Sequence, residues 1–156
     1  ALYKQRLRTL PSARYVFAFE MRGKQESLNY FLVFASGHPL GLEKMKEAMK
    51  SVDQTGDYCF SDVDVGQTRL FRSDDHSEFA RKMFSEFKAR RVSYESLRDF
   101  ALNESPFLNP KKMLKYLEEN GRIERVECVP GKQRKKGTFP EDLVQAVTFK
   151  AEDSDA

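Results

Sequence analysis

An α+β fold is what this 156-residue sequence predicts, and three observations predict it. The run "LNYFLVFAS" and the pattern "RYVFAFEMR" concentrate the aromatic and β-branched residues that suit strands. "KKMLKYLEENG" repeats Met113, Leu114 and Leu117 at helical spacing. From Ser93 to Gly137 the order is a short helix, a turn, a second amphipathic helix, a strand, a basic loop and a returning strand. That is the order of a winged helix-turn-helix. We therefore expect three parts: a β-hairpin and helix over residues 1–72, a winged-helix domain over 73–150, and an acidic flexible tail over 151–156.

The elements follow in order. Leu2, Leu7 and Leu10 have helix-like spacing that Pro11 stops. In "RYVFAFEMR", Tyr15, Phe17 and Phe19 alternate on one side while Val16 keeps the other partly apolar, which predicts a strand. "GKQES" predicts a turn. Tyr30 to Phe34 then reads as a strand buried on both faces, as inside a larger sheet. A hairpin alone cannot bury both faces, so these strands are expected either to pack on the rest of this chain or to complete a sheet that begins outside it. Leu42, Met45, Met49 and Val52 form one face of a helix from about Leu40 to Val52. His38, before Pro39, reads as a capping or turn residue. "YCFSDVDVGQTRLF" reads as two short strands or irregular chain, and Asp57, Asp62 and Asp64 as a solvated loop, since they lack the glycine and terminal glutamate of a calcium loop.

Asp74, Asp75 and Ser77 offer caps for a helix to about Ala89, with Phe79, Met83, Phe84 and Phe87 on one face. Ser93 caps a helix bearing Tyr94, Leu97, Phe100, Ala101 and Leu102. Asn109 followed by Pro110 is a start signal, and Gly121 an end signal, for the helix between them. Ile123, Val126 and Val129 predict a strand, "PGKQRKKG" a loop, and Val144, Val147 and Phe149 a return strand, with Pro140 favouring either an edge position for that strand or a late start near Leu143.

Charge selects the candidate surface. The whole chain has 27 basic and 24 acidic residues, a weak bias. Between Arg122 and Gly137, however, six basic residues (Arg122, Arg125, Lys132, Arg134, Lys135, Lys136) meet only Glu124 and Glu127. Such a loop suits phosphate. Lys111, Lys112 and Lys115 occupy the first half of the preceding helix, the end that such a fold directs to a groove. We expect these three lysines together with Lys132, Arg134, Lys135 and Lys136 to contact phosphates, and Asn109 or Lys112 to reach base edges. DNA is the expected partner. A protein partner, with this region as an interaction or assembly module capable of self-association, is the alternative that the fold leaves open.

Several classes find no support in the sequence. No P-loop, dinucleotide fingerprint, nucleophile elbow or HExxH occurs, so neither a catalytic residue nor a cofactor site is expected. Cys59 and Cys128 are isolated and read as reduced thiols, neither zinc ligands nor a disulfide framework. No stretch has the length of a membrane span, and the chain reads as cytoplasmic.

"YFLVFASGHPLGLEKMKEAMKSVD" resembles a segment of the three-Cys-motif partner protein family, through Phe34, Ala35, Ser36, His38, Pro39, Gly41, Met45, Lys46 and Met49. Ser105, Pro106 and Phe107, with Lys136 to Pro140 ("KGTFP"), are similar to that family's carboxy-terminal winged-helix region. The resemblance implies a bacterial protein whose amino-terminal part is Rossmann-like and methyltransferase-like. Residues 1–72 would then complete the methyltransferase-like sheet. The motifs that hold S-adenosylmethionine have no counterpart here, so no cofactor residue carries over.

Overall fold

The computed structural model describes residues 2–22, 28–52, 59–61 and 76–151. Asp57, Asp62, Asp64 and the proposed caps Asp74 and Asp75 lie outside them. The chain is α+β and divides into two units, residues 1–74 with 102–108, and residues 75–101 with 109–156. Thus the expectation of one domain over 73–150 is altered in one respect: residues 102–108 belong with the first unit.

In the first unit, α1 (Leu2–Arg8) and a 3₁₀ turn at Pro11–Ala13 lead into β1 (Tyr15–Arg22). β1 pairs antiparallel with β2 (Leu28–Ser36), from Tyr15 opposite Ser36 to Arg22 opposite Leu28. On its other side it pairs parallel with β3 (Cys59–Ser61), so the sheet order is β2-β1-β3. Tyr15 and Phe19 are buried on the face the alternation marks, with Phe17 between them only half-buried, and Val16 is buried on the other face. β2 is different. It is an edge strand, and Tyr30, Phe31 and Leu32 are 58%, 55% and 38% exposed. Within this chain, then, the strand is not buried on both faces as the run suggests; the expectation that it packs on the rest of the chain is corrected, and the exposure agrees with the other, that it completes a sheet beginning outside.

Ser36 ends β2 with a turn that sets α2 (Pro39–Val52). His38 N–H donates to Ser36 Oγ at 3.1 Å, and Ser36 Oγ donates to the His38 carbonyl at 2.9 Å. His38 Nδ1 accepts the Leu40 N–H at 3.2 Å, the capping role read for it. A Cβ on Gly41 would lie 2.4 Å from Ser36 Oγ, so a larger residue there would displace the Ser36 hydroxyl from this turn. Leu42 packs with Tyr15 and Leu102, flanked by Phe17 and Phe34.

The second unit contains α3 (His76–Phe87), β4 (Arg91–Ser93), α4 (Tyr94–Glu104), α5 (Lys111–Glu119), β5 (Ile123–Cys128) and β6 (Val144–Phe149). α4 belongs to this unit through Ala101. The three strands form an antiparallel sheet of order β4-β6-β5. β4 is an addition to the expected elements. It pairs Arg91, Val92 and Ser93 with Thr148, Val147 and Ala146. α3 ends through Ala89, whose φ of 59° is the left-handed conformation more often given to glycine at such a position. Ser93 caps α4, its Oγ accepting the Ser96 N–H at 3.2 Å.

Buried Ala80 and Met83 of α3, Leu97 and Ala101 of α4, Met113, Leu114 and Leu117 of α5, and Val144, Val147 and Phe149 of β6 make the core of this unit. Phe87 stacks on Phe149 with centroids 6.2 Å apart, and Phe84 meets the same ring edge-on at 6.5 Å. Val144 and Ala146 are buried on one face of β6 and Val147 and Phe149 on the other, so both faces are covered and simple alternation is lost.

Candidate nucleic-acid interface

α5 is placed by its two ends. Asn109 Oδ1 accepts the Lys111 N–H at 3.2 Å, an N-cap bond to the second helical position when Pro110 is counted as the first. At the other end Gly121 takes φ +67°, its N–H donating to the Glu118 carbonyl at 3.1 Å while the Arg122 N–H reaches the Leu117 carbonyl at 2.8 Å. That pair of bonds is a Schellman stop. Between these ends Met113, Leu114 and Leu117 turn inward, at most 1% exposed. Lys111, Lys112 and Lys115 are left on the solvent side.

The basic loop runs from Val129 to Leu143. Val129 N–H donates to the Leu143 carbonyl at 2.9 Å and so closes its base. Lys132, Lys135 and Lys136 are exposed. No ion pair to Lys111, Lys112, Lys132, Lys135 or Lys136 occurs among the described residues. Lys115 lies 3.7 Å from Glu119 across one helical turn, an exposed pair that salt screens readily.

The eight residues expected at the site do not share one hollow. Lys111, Lys112 and Lys115 share an open groove of about 350 Å³ with Gly137, Thr138, Phe139 and Pro140, the return limb of the loop. Lys132 and Arg134 line a separate hollow of about 530 Å³ with Arg125, Gln133, Cys128 and Gln145. Lys135 and Lys136 line neither. Asn109 is engaged through Oδ1 in capping, so its firmest contribution is to hold α5.

Arg134 departs furthest from expectation. Both of its terminal nitrogens donate to the Glu118 carboxylate, Nη1 at 3.2 Å to Oε2 and Nη2 to Oε1. The two side chains are only 13% and 12% exposed. The guanidinium also lies 4.6 Å from the centre of the Phe139 ring, and Nη1 donates to the Thr138 carbonyl at 3.2 Å. A cation so engaged is a poor phosphate ligand. The hydrogen bonds from Arg134, with the Gly137 N–H bond to Oε2 at 2.7 Å, hold the Glu118 carboxyl below its usual range against the opposing effect of burial.

Two placements escaped the sequence reading, that of Arg125, counted in the basic run but not at the site, and that of Arg91 on Glu127. Arg125 enters through β5, where its position beside the hollow could be seen only once the strand was paired. Glu127 is taken by Arg91 in a two-pronged pair at 2.9 and 2.6 Å, which removes one of the acids opposing the basic loop. Cys128 is a free thiol at the edge of the hollow. Among the described residues no group of His, Cys, Asp and Glu could hold a metal ion, and no helix is long and apolar enough to cross a membrane. No protein-family model, curated protein or solved structure matches the chain.

Proposed function

We propose that the second unit is a winged helix that binds double-stranded DNA through its backbone, with α5 as the groove-facing helix and the loop between β5 and β6 as the wing. The element order and the β4-β6-β5 sheet support the fold reading. One observation carries the functional reading: α5 and the loop together leave Lys111, Lys112, Lys132 and Lys135 exposed with no ion pair among the described residues, and Lys136 exposed with only the longer-range field of Glu118 beside it. Uncompensated ammonium groups on a rigid support favour a polyanion. Phosphate contacts position a duplex without reading it, so the proposed binding is general in sequence.

The test is fluorescence anisotropy with 20-base-pair duplexes of unrelated sequence at two salt concentrations. Replacing Lys132, Lys135 and Lys136 by alanine is expected to weaken all duplexes by a similar factor. The slope of log K against log salt should fall by about 0.9 for each phosphate that is no longer neutralised. Unchanged affinity and slope in that variant would sink the assignment.

A second reading, an interaction and assembly module, draws on the first unit. Its edge strand β2 exposes Tyr30, Phe31 and Leu32, and edge strands with apolar side chains invite pairing. Self-association that does not respond to salt, with no duplex binding, would favour it.

A further inference from the structure

We infer that Glu118 and Arg134 form a positioning clamp that sets the wing on α5 and thereby fixes the turn bearing Lys135 and Lys136. The inference rests on the DNA-binding reading of this same surface. It begins from a conflict of charge. A carboxylate on a surface meant for phosphate repels the ligand, yet Glu118 sits in the last turn of α5 and reaches into the wing.

What Glu118 holds resolves the conflict. Its two oxygens take both terminal nitrogens of Arg134, on the outgoing side of the turn, and Oε2 takes the Gly137 N–H at 2.7 Å, within the turn itself. Between these two attachments lie Lys135 and Lys136. The Lys135 carbonyl accepts the Thr138 N–H at 3.1 Å and the Thr138 hydroxyl at 2.6 Å, closing a four-residue turn. Gly137, third in that turn, has φ +79°, the conformation a type II turn demands there. A Cβ at Gly137 would approach Lys115 at 3.9 Å, so the turn stands directly over the lysine stripe of α5.

The clamp is anchored to the core. Arg134 lies over Phe139, which is 2% exposed, and the Tyr94 hydroxyl donates to the Phe139 carbonyl at 3.1 Å. Arginine fits this position because its planar fork meets both carboxylate oxygens at once. Lysine would keep the charge and lose the fork.

The charge conflict also gives the test its sign. Glu118→Gln removes a negative charge, so if only net charge mattered the variant would bind duplex more tightly. The clamp predicts the reverse, weaker binding by about tenfold, the scale of roughly one charge-assisted hydrogen bond. Arg134→Lys, which leaves the net charge unchanged, should weaken binding in the same way. In both full-length variants the Gly137 amide should exchange its hydrogen faster than in the parent, while amides of α3 keep their rates. Tighter binding by Glu118→Gln, or an unchanged Gly137 exchange rate in both variants, overturns the clamp and leaves the DNA reading standing. Absence of duplex binding by the parent chain at low salt overturns the DNA reading and removes the clamp's role in binding with it.

Discussion

At the scale of the residue, Lys46 is the side chain whose surroundings depart most from its type. It is fully buried, and its Nζ donates to the Ser105 carbonyl at 2.6 Å and the Phe107 carbonyl at 3.2 Å, 4.4 Å from the centre of the Phe17 ring. Burial, aided by the charge of Lys4 and opposed by Glu104, brings its pKa down to about 7. The unfolded amine titrates near 10.5. Between those values the unfolded chain binds more protons than the folded one, so stability rises with pH across that window and is flat below it. Urea unfolding at pH 7 and pH 9.5 should show a gain on the order of 2 kcal/mol, and Lys46→Met should lose most of it. The upper pH stays below 10 because the Tyr94 phenol, raised by burial to about 12, acts in the opposite direction above it. An equally steep rise in Lys46→Met would assign the effect to other groups. The position was partly legible: Lys46 follows Leu42 by four residues and precedes Met49 by three, so it lies on the inward stripe, but a lysine there reads as a break in that stripe until its acceptors are known.

At the scale of the element, helix ends were the most legible features because their chemistry is local. Asn109, Pro110 and Gly121 marked α5, and each acts within a few residues of itself. Asn109→Ala removes the bond to the Lys111 N–H and should cost about 1 kcal/mol, seen as a melting temperature lower by about 4 °C. Asn109→Ser should recover most of that loss, since serine caps comparably. No change in melting temperature for Asn109→Ala would mean that water or a neighbour satisfies the amide equally well. Strands were less legible. β4 has three residues and a single buried side chain, Val92, and its pairing with β6 joins positions more than fifty residues apart. β2 has the composition of an interior strand and the outer place in the sheet of this chain, and composition alone does not say what covers it. The clamp was invisible for the same reason as β4. Glu118 and Arg134 stand sixteen residues apart on a helix and a loop, and only the fold brings them together.

At the scale of the whole molecule, the chain is interleaved, and this has a consequence for any attempt to divide it. The first unit needs residues 102–108, which come after α3 and most of α4 have gone to the second. Leu102 packs with Tyr15 and Leu42, the Asn103 carbonyl accepts Lys4 Nζ at 2.7 Å, and Val16 N–H donates to Asn103 Oδ1 at 2.9 Å. Ser105 and Phe107 supply the acceptors of Lys46. A cut at the apparent boundary near residue 74 therefore strips the first unit of a core leucine and leaves a buried ammonium without its carbonyls, a loss of several kcal/mol, comparable with the whole stability of a small domain. Residues 76–151 keep the core of α3, α5 and β6 and every partner of the clamp. Expressed separately, 76–151 should unfold in one cooperative thermal transition, whereas 1–74 should show none. Circular dichroism on the two pieces checks this directly. A cooperative transition in 1–74 would mean that β1, β2 and α2 suffice for that core, and that residues 102–108 decorate the first unit without completing it.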